Sequence, residues 1–202
     1  MPAMSRFEAA ACRSRPWRVV TGRVVLPWAL QGVAPAGHVL EIGAGSGAMA
    51  REVLARHPDV TMTVTDVDPG MVDDARARLA AFGDRVDTRR VDATALPFAD
   101  GTFDAVVSWL MLHHTVGWEK ALAEAIRVVR PGGHVVGYDL LSTPPMRALH
   151  RSDTGHVRLM RLSELRAAAT AMHDVGQAIL TPGLGGLVVR FLLHKSAAAT
   201  AG

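Results

Sequence analysis

The residues best suited to chemistry fall in a few short stretches. Glu41-Ile42-Gly43-Ala44-Gly45-Ser46-Gly47 places a carboxylate two residues ahead of a glycine-rich turn. Glycines there let the chain bend sharply and admit a ligand where a β-carbon would stand. A helix starting behind the turn aims its free N–H groups and partial positive charge at that ligand. Asp66 and Asp92 are further carboxylates, each closing a β-rich run. Ionised carboxylates are the strongest side-chain acceptors for hydroxyl, amine or ammonium donors. His113-His114 is an imidazole pair, the side-chain type that titrates nearest neutral pH and so suits proton transfer. Tyr138 and Asp139 end another apolar run and are candidates for holding a substrate.

The glycine turn alone admits two readings. Closed by Ala48, it satisfies the dinucleotide pattern, and Asp66 stands at a suitable distance for a ribose hydroxyl, as in a nicotinamide oxidoreductase. Glu41 argues the other way, because a carboxylate inside the loop opposes a pyrophosphate and suits a ligand bearing an ammonium group.

These residues need a scaffold, and the pattern supplies one. β-rich runs at 38–42, 60–66, 86–91, 103–109 and 134–140 alternate with amphipathic helical stretches. The first helix leads to His57, where Pro58 stops it. The second is capped by Asp68 with Pro69 at its first position, and it carries Met71, Val72, Ala75, Leu79 and Phe82 to Gly83. The third carries Trp118, Leu122, Ala125, Ile126 and Val129 up to Pro131-Gly132-Gly133, and a fourth starts at a Ser163 cap. Runs 177–181 and 187–194 are joined only by Pro182-Gly183-Leu184-Gly185-Gly186, which leaves no room for a helix, so they pair antiparallel. The expectation is an α/β doubly wound, mostly parallel seven-stranded sheet with a C-terminal antiparallel hairpin. Ligands in such folds lie beyond the carboxyl ends of the strands, where the strand order reverses.

Size and composition agree with a single domain. The chain has 202 residues, 49% hydrophobic and 20% charged, with a net charge of +3. That charge is weak support for a nucleic-acid partner, and the Arg-rich stretches 6–23 and 147–166 read as solvated helix faces, with a positive rim that attracts an anionic substrate as the alternative. The single cysteine, Cys12, excludes a disulfide framework and a cysteine-based zinc cluster. No metal site is expected. No apolar run approaches the roughly 18–20 residues that span a membrane, and the N-terminus lacks an apolar signal-peptide centre, so a cytoplasmic protein is expected. Residues 1–33 read as an N-terminal helical arm with Trp17 and Trp28 as its heaviest apolar groups, and 197–202 as a disordered tail.

The ordered set Glu41–Gly47, Asp66, Asp92-Ala93, Leu96–Asp104 and Arg127–Val135 resembles the class I S-adenosylmethionine-dependent methyltransferases, specifically the small ubiquinone/menaquinone-biosynthesis-like branch. The resemblance runs from about 39 to 136, with a looser match in the final hairpin, and makes 34–196 the methyltransferase domain with a Rossmann-like methyltransferase fold. It implies S-adenosyl-L-methionine as cofactor and S-adenosyl-L-homocysteine as product. Gly43, Ala44, Gly45 and Gly47 would hold the methionine portion, with Glu41 engaging its amino group. Asp66 would take the ribose hydroxyls; Asp92 would take the adenine amine, with the Ala93 backbone beside it and Val67 against the ring, and Met71 is a further cofactor-binding candidate. The backbone of Ser108 and Trp109 would complete the pocket. His113 and His114 are the candidate catalytic bases, and Tyr138, Asp139 and Arg147 the candidate substrate residues, with Arg151 and His156 on the same connection. The Asn/Asp-Pro-Pro-aromatic motif of base-methylating enzymes is absent after the fourth strand, where Ser108-Trp109-Leu110-Met111 stands, so a small-molecule acceptor is expected, with oxygen, carbon and nitrogen all open. A monomer or homodimer is expected. A non-catalytic binding protein on the same fold, and less so a nicotinamide oxidoreductase, are the alternatives.

Overall fold

The computed structural model describes residues 24–30, 32–151 and 157–197. The expected arm before residue 24, including Trp17 and Cys12, lies outside them, as do His156 and the last five residues of the tail. Seven strands form one sheet: β1 (His38–Ile42), β2 (Thr61–Asp66), β3 (Val86–Arg90), β4 (Phe103–Trp109), β5 (Val129–Leu140), β6 (Val175–Gly183) and β7 (Val188–Lys195), in the order β3-β2-β1-β4-β5-β7-β6. All neighbours are parallel except β5–β7 and β6–β7, the expected antiparallel ending. Strand order reverses between β1 and β4, which opens the crevice above their carboxyl ends.

Helices cover both faces. On one lie α1 (Leu26–Leu30), α2 (Ala48–Arg56) and α3 (Pro69–Leu79). Their Ala29, Val53 and Leu79 pack on Val39, Ala105, Val107 and Val136 of the sheet. On the other lie α4 (Trp118–Val128) and α6 (Leu162–Ala171), whose Trp118, Leu122 and Leu165 pack on Leu40, Ile42, Val106 and Phe191. Successive strand residues point to opposite faces, so Val39 and Glu41 share the α1–α3 side while Leu40 and Ile42 share the other. Short α5 (Pro144–Leu149) lies in the connection after β5.

Most strand boundaries shift by one or two residues from the sequence reading, and three differences have a local structural cause. β5 begins at Val129 rather than 134, because Pro131-Gly132-Gly133 forms an irregularity within the strand, opposite the register shift between Phe103 and Ala105. Helix α3 ends at Leu79, and a 3₁₀ segment, Ala80–Arg85, carries the chain past Gly83, whose φ is +57°. The N-cap of α6 is Arg161, not Ser163, since the Glu164 carboxylate reaches back to accept from the Arg161 N–H at 2.7 Å. Lys195 closes the far end of α4, its Nζ donating to the carbonyls of Ile126, Arg127 and Val129 at 2.8–3.0 Å.

Candidate functional site

The crevice is built from the loops that follow β1 to β4. Gly43, Gly45 and Gly47 all adopt positive φ, a conformation that L side chains rarely take. Gly47 caps α2 in the left-handed region, with Ala75 and Leu79 pressed too close behind it for a β-carbon to fit easily. A β-carbon at Gly43 would collide with Met111, whereas one at Gly45 would meet open space, so the loop is closed on one side and accessible on the other.

Asp66, at the tip of β2, ties this loop to the next. Its Oδ2 accepts from the Gly45 N–H at 2.8 Å and its Oδ1 from the Asp68 N–H at 2.9 Å. Burial pushes its carboxyl up, while those N–H groups pull it back. Asp68 caps α3 as expected, accepting from Gly70 and Met71 at 2.7 and 3.2 Å. Asp92, beyond β3, accepts from both the N–H and the hydroxyl of Thr94 through one oxygen.

Of the twelve residues expected at the cofactor, Gly43, Gly45, Asp66, Val67, Met71, Asp92 and Ala93 line the crevice. Ala44 and Gly47 form the body of the loop behind it. Glu41, Ser108 and Trp109 are buried beneath, with 1, 1 and 7% exposure. Glu41 carries the strongest electrostatic perturbation in this group. Burial, then the proximity of Asp66, raises its carboxyl from 4.5 to about 8, and its Oε2 has no hydrogen-bond partner. A buried acceptor left without a donor is costly, so it marks a place where a donor-bearing ligand would be stabilised.

The sequence reading did not assign Val91, Leu110, Met111 or Thr115 to the lining. Leu110 has φ +52°, held by its N–H donating to the Tyr138 carbonyl at 2.9 Å. The Thr115 hydroxyl donates to Met111 Sδ at 3.2 Å, pinning that side chain over Gly43. Being adjacent to the histidine pair was the available signal; the positive φ of a leucine had none.

The two histidines diverge. His114 lines the crevice, whereas His113 turns inward to Asp139, its Nδ1 2.6 Å from Oδ1. Asp139 is fully buried and also accepts from the Leu112 and Leu140 N–H groups, both at 2.7 Å. A carboxylate that accepts three hydrogen bonds is itself fixed in place, and through Nδ1 it fixes the orientation of the His113 ring. The two imidazole centroids lie 4.0 Å apart, with the His150 ring 5.7 Å from His113. Tyr138 points to the opposite face, against Trp28 and Trp109. Arg147 is exposed on α5 and donates to the Ser142 carbonyl at 2.9 Å.

The residues present fit S-adenosylmethionine. They offer an unpartnered buried acceptor at Glu41, an open glycine face at Gly45, and carboxylates at the tips of successive strands for its ammonium, hydroxyl and amine donors.

Sheet order and glycine loop together define the class I methyltransferase architecture. Residues 39–133 match the family described as "Methyltransferase domain". The chain is 38% identical over 135 residues to the demethylmenaquinone methyltransferase of Clavibacter sepedonicus, covering 67% of this chain and 51% of that protein. It is 37% identical over 112 residues to the ubiquinone/menaquinone biosynthesis C-methyltransferase UbiE of Desulfotalea psychrophila, covering 55% and 44%. Among solved structures, YcgJ of Bacillus subtilis superposes with TM-score 0.68 at 21% identity over 89% of this chain and 99% of that one. A SAM-dependent methyltransferase from Aquifex aeolicus gives 0.72 at 16% identity over 96% and 100%. Residues 39–133 therefore carry a methyltransferase domain on this fold, and the chain is similar to methyltransferases of ubiquinone/menaquinone biosynthesis. It spans about half the length of the curated relatives it matches. Among the described residues no helix is long and apolar enough to cross a membrane, and no group of three or more metal-binding side chains is found.

Proposed function

We propose that this protein transfers a methyl group from S-adenosylmethionine to a small-molecule acceptor by in-line displacement. The observation that carries this reading is the row of carboxyl groups, Glu41, Asp66 and Asp92, each at or near the tip of a different neighbouring strand around one glycine-lined crevice. Glu41 would hold the ammonium, Asp66 the ribose hydroxyls and Asp92 the adenine amine, with Val67, Met71 and Ala93 against the nucleoside. The cofactor, when bound, supplies an electrophilic methyl on a cationic sulfur.

The protein's own contribution is to orient the acceptor, exclude water and remove a proton where the nucleophile carries one. Leu110, Met111 and Thr115 supply a largely apolar wall beside the glycine loop. His114 is the base facing the crevice; His113, locked by Asp139, stacks behind it and positions it. The names of the relatives, which act in quinone biosynthesis, favour a small acceptor over a macromolecule.

Calorimetric titration with S-adenosylhomocysteine, followed by turnover over an acceptor panel, tests the reading. Binding and turnover are expected, with His114→Ala lowering kcat by roughly 10²–10⁴-fold while leaving cofactor affinity unchanged. Absence of cofactor binding, or binding of NAD in its place, would refute it.

A further inference from the structure

On the α1 side of the sheet, next to the crevice, a second group of side chains is assembled, of which only the Trp109 backbone is expected at the cofactor. Arg190 of β7 lies opposite Tyr138 of β5, near the carboxyl end of that strand. Its guanidinium carbon lies 5.0 Å from the Trp28 ring centroid, and its Nη1 donates to the Trp28 carbonyl at 2.9 Å. Trp28 meets Tyr138 edge-on at 5.3 Å, and Tyr138 meets Trp109 at 5.9 Å. Three aromatic rings and a cation thus form a continuous row across α1, β4, β5 and β7. It adjoins the crevice through Leu110, which follows Trp109 in the chain and is bonded to Tyr138.

Two polar atoms in this row are buried without a partner: Arg190 Nε and Trp109 Nε1. Arg190 also has no acidic partner among the described residues. A cation whose inner N–H is desolvated, resting on an aromatic face with no counter-charge, is stabilised most by an anion. With Nη1 committed to the Trp28 carbonyl, the Nε edge of the fork remains. Guanidinium edges of that shape match the two oxygens of a carboxylate. The surrounding rings favour a flat, apolar body attached to it.

We propose that Arg190 and Trp109, walled by Trp28 and Tyr138, form the acceptor subsite, which takes a flat apolar molecule bearing a carboxylate as its handle. This rests on the methyl-transfer reading of the adjoining crevice. The handle is held by Arg190 Nε, with the Trp109 indole N–H as a further donor on the same face, and the ring system lies along Trp28 and Tyr138. The carboxylate is the recognition group and is not required to be the atom methylated.

Calorimetry with naphthoate and with its neutral isostere naphthylmethanol, each with and without S-adenosylhomocysteine, tests the subsite. Naphthoate is expected to bind the wild type and to bind Arg190→Gln about 10- to 100-fold more weakly, the scale of one lost hydrogen bond to a charged group. Arg190→Lys should restore part of that loss, and naphthylmethanol should bind weakly and equally to all three. Should Arg190→Gln fail to fold, by its circular-dichroism melt, Trp109→Phe takes its place with an expected loss of about 3- to 10-fold. No binding of naphthoate by the wild type, equal affinity in the variant, or equal affinity for the alcohol would each overturn the proposal. Binding of S-adenosylhomocysteine is read in the same titrations, so a failed cofactor site and a failed acceptor subsite give different results.

Discussion

Glu41→Gln should make the protein more stable at neutral pH while weakening its hold on the cofactor. The Glu41 carboxyl is held at about 8 against an ordinary 4.5, with burial the larger cause and Asp66 the second. A carboxyl raised on folding contributes stability that is fully present below the unfolded value and is lost as pH rises toward the folded one. The folded state keeps its proton between those limits while the unfolded chain gives it up. Linkage with these two values puts the cost near 1 kcal/mol at pH 5 and about 3 kcal/mol at pH 7, levelling off above pH 8. Glutamine carries no such cost. Urea unfolding of both proteins at pH 5, 6, 7 and 8 measures the difference directly. The variant's advantage should grow by roughly 1 kcal/mol per pH unit between 5 and 7. Parallel stability curves would mean that Glu41 ionises normally in the folded protein. A variant that loses stability relative to wild type as pH rises would reverse the sign and refute the reasoning.

The same carboxyl should make cofactor binding proton-linked. Only about a tenth of Glu41 is ionised at pH 7, so S-adenosylhomocysteine affinity should rise roughly 50-fold from pH 6 to pH 8. Methylthioadenosine, which lacks the amino-acid end, should show no such rise; calorimetry in buffers of different ionisation enthalpy distinguishes the two, and equal pH profiles would contradict the assignment. Asp66→Asn should weaken S-adenosylhomocysteine binding by about 10- to 100-fold through loss of a charged acceptor, with unchanged affinity counting against the ribose role. Lys195→Met removes three hydrogen bonds from carbonyls at and just beyond the end of α4 and should cost about 1–3 kcal/mol, read as a lowered Tm; an unchanged Tm would show that water replaces the ammonium there.

The frame of the site was legible because its residues punctuate hydrophobic runs. Glu41, Asp66 and Asp92 each end or follow one, and Asp68-Pro69 names its own helix start. Three features were not legible, each for a physical reason. Leu110 takes a left-handed φ because neighbouring strands hold it there, and a leucine carries no sign of that strain. His113 and His114 are adjacent in sequence, but the 3₁₀ turn Leu112–His114 sends one to Asp139 and the other to the crevice. The start of α6 moved from Ser163 to Arg161 because Glu164 could satisfy an N–H that the serine did not.

Alternation along β5 separates the two kinds of work proposed at this end of the sheet. Tyr138 and Asp139 are consecutive, so their side chains leave opposite faces of the sheet. Tyr138 joins Trp28 and Trp109 on the α1 side, where Arg190 also lies. Asp139 goes to the α4 side and fixes His113. The proposed recognition group and the proposed base therefore approach the crevice from opposite faces, with the backbone of β4 and β5 between them. A guanidinium and a carboxylate that would otherwise pair with each other are kept apart, and each stays available to its own partner. A one-residue slip of β5 would exchange the two faces and bring Asp139 to Arg190, an ion pair that leaves neither the anion subsite nor the fixed imidazole. The antiparallel register of Tyr138 with Arg190 and Asp139 with Val189 prevents that exchange, so the C-terminal hairpin keeps the two proposed groups apart as well as closing the sheet.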